Sequence, residues 1–162
     1  MLRLATLGTG SITAVFADAV ARSGRARIVL AHSRDADRAV QFAAEIGADA
    51  GESDLAAILS DERVDAVYVA SPNAVHAEQV LMALEAGKHV LCEKPMVLTA
   101  DEAERLFATA AARGVVLLEA MRSAFDPGMA LVRELLPTVG RLRRASLRYV
   151  QRSSRYDKVL AG

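Results

Sequence analysis

Leu2-Arg3-Leu4-Ala5-Thr6-Leu7-Gly8-Thr9-Gly10-Ser11-Ile12-Thr13 stands near the start of the sequence. The apolar half, through Leu7, reads as a strand. A glycine turn follows, then Ile12 to Arg22 as a helix that Gly24 ends. In such a turn the first glycine permits a tight bend, and the second lets the backbone approach a pyrophosphate. The helix behind it presents free N–H groups and the positive end of its dipole. Gly8, Thr9, Gly10, Ser11 and Ile12 are therefore candidate phosphate-cradling residues. The third position of the fingerprint, usually Gly or Ala, is Thr13. That departure either loosens helix–strand packing or adds a hydroxyl near the phosphates. The competing reading is an ordinary glycine turn; placement at the first strand–helix junction argues against it.

The alternation continues outward. Ala26 to Ala31 is a second strand, and Ala36, Ala39, Val40, Ala43 and Ile46 form a helical stripe between Asp35 as N-cap and Gly47 as stop. A short strand is expected near Ala48 to Gly51, a helix over Leu55 to Leu59, and strong strands over Val64 to Ala70 and His89 to Cys92. Ala77, Val80, Leu81 and Leu84 stripe the helix between those two strands. Thr99-Ala100-Asp101-Glu102 has the capping-box pattern and opens a helix to Gly114, before a strand over Val115 to Leu118. Unbroken apolar strands alternating with helices predict an α/β fold, a doubly wound parallel sheet of the Rossmann type, over residues 1–120.

Composition narrows the class. Half the chain is hydrophobic (52%) and a quarter charged (25%), a globular balance with no run long enough to span a bilayer. Twenty basic residues offset 20 acidic ones, so nothing in the net charge suggests a nucleic-acid partner. The arginines after Arg141 lack an interleaved aromatic platform beyond Tyr149 and Tyr156. A single cysteine, Cys92, excludes an intrachain disulfide and a cysteine-rich metal cage, and fits a reducing, cytoplasmic setting. Cys92 reads as a small buried hydrophobe, and no metal site is expected.

The C-terminal end of the second strand lies about 25 residues past Gly8, where a ribose-reading residue belongs. An NAD site would place an acid there. His32-Ser33-Arg34 offers a hydroxyl and a guanidinium, which suit a 2′-phosphate, so NADP is expected ahead of NAD. The alternative is that Arg34 is a solvated surface residue.

Three further segments carry a resemblance: Val69-Ala70-Ser71-Pro72-Asn73-Ala74-Val75-His76, Gly87-Lys88-His89-Val90-Leu91-Cys92-Glu93-Lys94-Pro95, and Leu118-Glu119-Ala120-Met121-Arg122-Ser123-Ala124-Phe125-Asp126-Pro127. With the glycine turn they resemble the glucose-fructose oxidoreductase, inositol dehydrogenase and rhizopine catabolism (Gfo/Idh/MocA) family over nearly the whole chain. Glu93-Lys94-Pro95 is the most specific element. The resemblance implies reversible hydride transfer between NAD(P) and a secondary alcohol of a sugar, inositol or related polyol. It makes Lys94 the general acid/base, since hydride leaves a carbinol carbon most easily as the hydroxyl loses its proton. It also implies a cis Lys94–Pro95 bond and assigns Glu93, pointing away from Lys94, to the cofactor ribose near the nicotinamide. Ser71, Pro72 and Asn73 become a cofactor-lining turn. His76 is either a packing histidine or a direct contact to substrate or cofactor.

Two departures stand out. Many relatives carry an arginine three residues before the proline of the third segment; here that position is Ala124, and Arg122 lies two residues earlier as a substitute cofactor contact. Many also supply a histidine from a second domain, whereas this chain has only His32, His76 and His89. After Phe125 the pattern changes. Pro127 opens a helix through Leu136 capped by Asp126, and Arg143 to Gln151 alternates like a half-wet strand. Residues 121–162 are thus expected to be a linker helix and the first strand of a truncated α+β substrate domain. An unpaired edge of that kind is open to a second copy, so either a homo-oligomer or poor order beyond Gly140 is expected. The rival to an enzyme is a dinucleotide-binding module or sensor without turnover. A sensor has no use for a proton-transfer lysine, and Lys94 favours the enzyme.

Overall fold

Each apolar run expected as a parallel strand pairs with its neighbours. The computed structural model describes residues 1–148 and 150. Its elements are β1 (Leu2–Leu7), α1 (Ser11–Ser23), β2 (Ala26–His32), α2 (Ala36–Ile46), β3 (Ala50–Glu52), α3 (Leu55–Ser60), β4 (Ala66–Val69), α4 (His76–Glu85), β5 (His89–Cys92), α5 (Ala100–Arg113), β6 (Leu117–Glu119) and α6 (Pro127–Leu135). The sheet runs in the order β3-β2-β1-β4-β5-β6 with every pair parallel. The order reverses between β1 and β4, which is the switch point of a doubly wound sheet.

Helix packing follows the stripes. Thr13, Ala17 and Val20 bury one face of α1, and Ala39, Phe42 and Ala43 bury one face of α2. The core between the layers holds Leu7, Val29, Ile58, Val67, Val69, Val80 and Leu84, all at 0% exposure. Asp35 caps α2, the Thr99–Glu102 capping box opens α5, and Gly24, Gly47 and Gly114 close their helices. Full burial of Thr13 assigns the third fingerprint position to helix–sheet packing.

Three strands start later than expected: β4 begins at Ala66 and not Val64, whose N–H is spent on Asp61 O at 3.1 Å, and β3 and β6 share one reason. Ala48 N–H donates to Ala43 O and Val115 N–H to Ala110 O, so the residue after each capping glycine closes the helix before it. β3 therefore begins at Ala50 and β6 at Leu117.

The chain divides into two units, Met1–Met121 and Arg122–Gly162. In the second, α6 is capped by Asp126 and ends at Leu135, one residue before the expected Leu136, which starts a 3-10 turn. The strand expected over Arg143–Gln151 is not formed at residues 143–148 or 150; Tyr149 and Gln151 lie outside the described residues. A strand exists through its ladder, and among the described residues no second strand lies alongside this segment. No described helix is long and apolar enough to cross a membrane.

At the opposite edge of the sheet from the glycine turn, Asp65 ties β1 to β4. Its carboxylate accepts from Arg3 N at 2.8 Å, Arg3 Nε at 3.0 Å and the Arg3 terminal guanidinium nitrogen. Those bonds hold the Asp65 carboxyl down at about 2. A depressed carboxyl contributes stability above its ordinary range and loses it as pH falls through the folded value. Asp65→Asn is expected to lower the melting temperature at pH 7. It should also flatten the loss of stability between about pH 5 and pH 2. Thermal unfolding across that range checks both, and parallel curves for the two proteins would rule the tie out.

Candidate active site

Sheet register lines up the candidate residues. His32 pairs with Leu7, Leu7 with Val69, Val69 with Cys92 and Cys92 with Glu119. The next row holds Gly8, Ala70, Glu93 and Ala120, one step past the carboxyl ends of β1, β4, β5 and β6. Ala70 N–H donates to Leu7 O at 2.8 Å and Glu93 N–H to Val69 O at 2.8 Å, extending the ladder into that row.

At the switch point the backbones nearly touch. Gly8 has φ +107°, and a Cβ there would lie 2.5 Å from Ala70 O. Gly10 differs: a Cβ there meets nothing within 4 Å. Gly10 is also the N-cap of α1, with no side-chain cap and no acidic residue in the first turn. By contrast α2, α3, α5 and α6 are each capped by a side chain: Asp35, Asp54, Thr99 and Asp126. An open N-terminus, small residues and free space beside Gly10 fit the pyrophosphate of a dinucleotide.

Around the ribose position, Gly8 N–H donates to His32 O at 3.3 Å. His32 is 7% exposed, and burial pushes its imidazole below the ordinary range. Ser33 Oγ accepts from Asp35 N at 3.3 Å, which leaves its hydroxyl proton to donate. Arg34 is exposed beside it. The sequence reading passed over Arg38. Its guanidinium lies over the Phe42 ring at 5.1 Å and donates to Glu45 at 3.0 Å and to Thr9 O at 3.4 Å, so a second cation sits against the glycine turn. The available signal was its place in the first turn of the helix behind the ribose position.

At the other end stands Glu93. One carboxylate oxygen accepts from the Tyr68 hydroxyl at 2.8 Å, and the other from Lys94 N–H at 3.3 Å. Tyr68 is 2% exposed and stacks on Phe16 with centroids 3.8 Å apart. Burial, then the bond to Glu93, pushes the Tyr68 hydroxyl up, so it stays a donor. Among the described residues Glu93 and Lys94 form no ion pair, and Lys94 is exposed. The Lys94–Pro95 bond is cis, as the resemblance implied. Glu119 Oε1 accepts from Met96 N at 2.9 Å. The bond joins the end of β6 to the segment after β5, a contact between sequence-distant residues that a linear pattern does not carry. Burial pushes the Cys92 thiol up to about 12, which suits a core residue and not a nucleophile.

Ser71 and Asn73 lie on the turn after β4, where Ser71 Oγ donates to Gln79 Oε1, and Pro72 and Asn73 are exposed. His76 departs from the contact reading. It is 1% exposed, with Nδ1 2.9 Å from Pro95 O and Nε2 2.8 Å from Ser71 O, so neither nitrogen is free for a ligand. Arg122 falls in the second unit, on a 3-10 turn, and lines a concavity there with Asp126, Met129 and Val132.

Fold and site together define a dinucleotide-binding domain with a lysine loop at the carboxyl edge of its sheet. The chain belongs to the oxidoreductase family with an NAD-binding Rossmann fold, GFO_IDH_MocA, whose model matches residues 2–121. It is 41% identical over 162 residues to scyllo-inositol 2-dehydrogenase (NADP(+)) IolU of Bacillus subtilis, covering 100% of this chain and 49% of that protein. It is 37% identical over the same length to the uncharacterized oxidoreductase YgjR of Escherichia coli, again 49% of that protein. The chain thus spans about half the length of the curated relatives it matches. Among solved structures, the 3-ketoreductase KijD10 of Actinomadura kijaniata, in complex with TDP-benzene and NADP, superposes with a TM-score of 0.79 at 36% identity. That match covers 85% of this chain and 43% of KijD10.

The two glycines separate fold from ligand. Gly8→Ala is expected to cost about 2 kcal/mol or more, from left-handed strain and the clash with Ala70. Gly10→Ala should change stability by no more than about 1 kcal/mol, and still weaken dinucleotide binding, because its methyl fills the open space. Urea unfolding and NADPH titration of both variants check this. Unimpaired binding by Gly10→Ala would place the phosphates elsewhere.

Proposed function

We propose that this chain is the cofactor domain of an NADP-dependent oxidoreductase. The reaction is hydride exchange with a secondary alcohol or carbonyl of a sugar, inositol or related polyol. The observation that carries the reading is the shared row at the sheet's carboxyl edge. An uncapped α1 N-terminus and the Glu93–Lys94 loop stand at the β1, β4 and β5 ends of one sheet.

The dinucleotide supplies the hydride acceptor or donor. Gly8, Thr9, Gly10, Ser11 and Ile12 hold its pyrophosphate through backbone N–H groups. Ser33 and Arg34 bind the 2′-phosphate, with Arg38 adding charge from its place against Thr9. Ser71, Pro72 and Asn73 line the path between the two ends. Glu93, oriented by Tyr68, accepts from the nicotinamide-side ribose. Lys94 takes the hydroxyl proton as hydride leaves the carbinol carbon and returns it in the reverse direction. Arg122 remains the arginine that the resemblance offers to the cofactor. The NADP named for the Bacillus subtilis and Actinomadura kijaniata relatives supports the phosphate reading, and the scyllo-inositol named for the former supports the polyol class.

NADPH is expected to bind at least about tenfold more tightly than NADH, the worth of one charge-assisted contact. Arg34→Ala should remove most of that preference. Nicotinamide fluorescence on the chain itself measures both, and equal affinities in the parent would end the Ser33–Arg34 assignment. Where these residues are joined to a working substrate domain, Lys94→Met should lower kcat by about 10²–10⁴-fold. NADPH affinity should stay within a few-fold, and steady-state kinetics beside equilibrium binding separates the two.

A further inference from the structure

His76 is the first residue of α4, a position usually wet, yet it is 1% exposed. Its two nitrogens face two backbone carbonyls, Pro95 O at 2.9 Å and Ser71 O at 2.8 Å. A carbonyl only accepts, so each nitrogen either donates to it or leaves that bond unmade. Neither oxygen takes part in a strand ladder. Ser71 belongs to the turn that abuts Gly8 through Ala70, and Pro95 directly follows Lys94.

The other side-chain bonds in this region each secure one segment. Gln79 holds Ser71 Oγ, Glu119 holds Met96 N–H, and Glu93 holds its neighbour's N–H. Among the described residues His76 is the one side chain within hydrogen-bond distance of both the turn after β4 and the segment after Lys94; a neutral ring has one N–H to donate between them, and an imidazolium bonds both at once.

We infer that His76 is a positioning residue, whose ring bridges the cofactor-lining turn to the lysine loop so that ordering one orders the other. It acts through Ser71 and Pro95 and touches no ligand. The inference rests on the proposed reading of the turn and Lys94 as one site. Its physical basis is that a loop beyond the sheet has no ladder of its own. The freedom lost on ordering must be met by side-chain bonds. A bridge shared by two loops makes their order cooperative, and dinucleotide bound at one end then holds the lysine at the other.

Amide hydrogen exchange with residue resolution tests this on the whole chain, with and without NADPH. Two amides report the loops: Met96 N–H, held by Glu119, and Val75 N–H, held by Pro72 O at 3.0 Å. His76→Leu should speed exchange at both by about tenfold or more, while the central-strand amides of Val67 and Val69 keep their protection. NADPH should slow exchange at Met96 in the parent and not in this variant. His76→Asn keeps an amide near the Nδ1 position and should restore Met96 alone; His76→Gln keeps one near Nε2 and should restore Val75 alone. These two polar variants decide the matter if His76→Leu does not fold. A uniform rise across the sheet, or unchanged protection at Met96, would overturn the bridge. Failure of the parent to bind NADPH would sink the proposed function separately, and the nucleotide-free exchange would still judge the bridge.

Discussion

The approach of Gly8 to Ala70 governs everything built at this end of the sheet. β1 and β4 are sequence-distant neighbours, and their first residues past the ladder come so close that no Cβ fits between them. The contact sets where α1 begins, because the turn has only Gly8, Thr9 and Gly10 in which to rise off the sheet. Where α1 begins fixes where its free N–H groups point. It also fixes the start of the turn carrying Ser71, Pro72 and Asn73, since Ser71 is the residue after the contact. One steric constraint thus positions both the uncapped end of α1 and the turn after β4.

Beyond the ladder, side chains take over. Tyr68 lies inside the sheet but sends its hydroxyl to Glu93, while its ring rests on Phe16 of α1. A strand, a helix and a loop thereby fix one carboxylate. Glu119, on the neighbouring strand, does the same for Met96. Buried donors and acceptors of this kind are costly to leave unmade, so such a network favours one arrangement of the loop over many. Lys94 itself stays exposed, held by the order of what surrounds it.

Local signals made the fold legible. Apolar runs, glycine stops and the caps at Asp35, Thr99 and Asp126 all act within a few residues, and each is where the sequence placed it. The errors at β3 and β6 come from helix closures that consume Ala48 and Val115, because apolar character alone does not say which backbone group is already spent. The Arg143–Gln151 alternation is a property of a side-chain pattern, while a strand forms only beside a partner, and none lies alongside it among the described residues. The site was legible in part. The glycine turn and the Glu93-Lys94-Pro95 motif are contiguous. Arg38, Glu119 and the burial of His76 depend on contacts across the sheet, which a linear pattern does not carry.

The groups proposed for the pyrophosphate, the 2′-phosphate and the nicotinamide-side ribose all lie in Met1–Met121, on elements that share one sheet and its core. Arg122–Gly162 is built differently: α6 buries no residue, and Met129, Leu131, Val132 and Leu135 are all exposed. A helix whose apolar stripe is left in water gains little from packing, which is where most helical stability in proteins arises. Arg122 apart, the groups proposed for the dinucleotide therefore rest on interactions that the first unit makes for itself. At the same carboxyl edge Tyr68 holds the carboxylate of the residue before Lys94, and the His76 ring faces the carbonyl of the residue after it, so the lysine loop draws its order from the first unit as well.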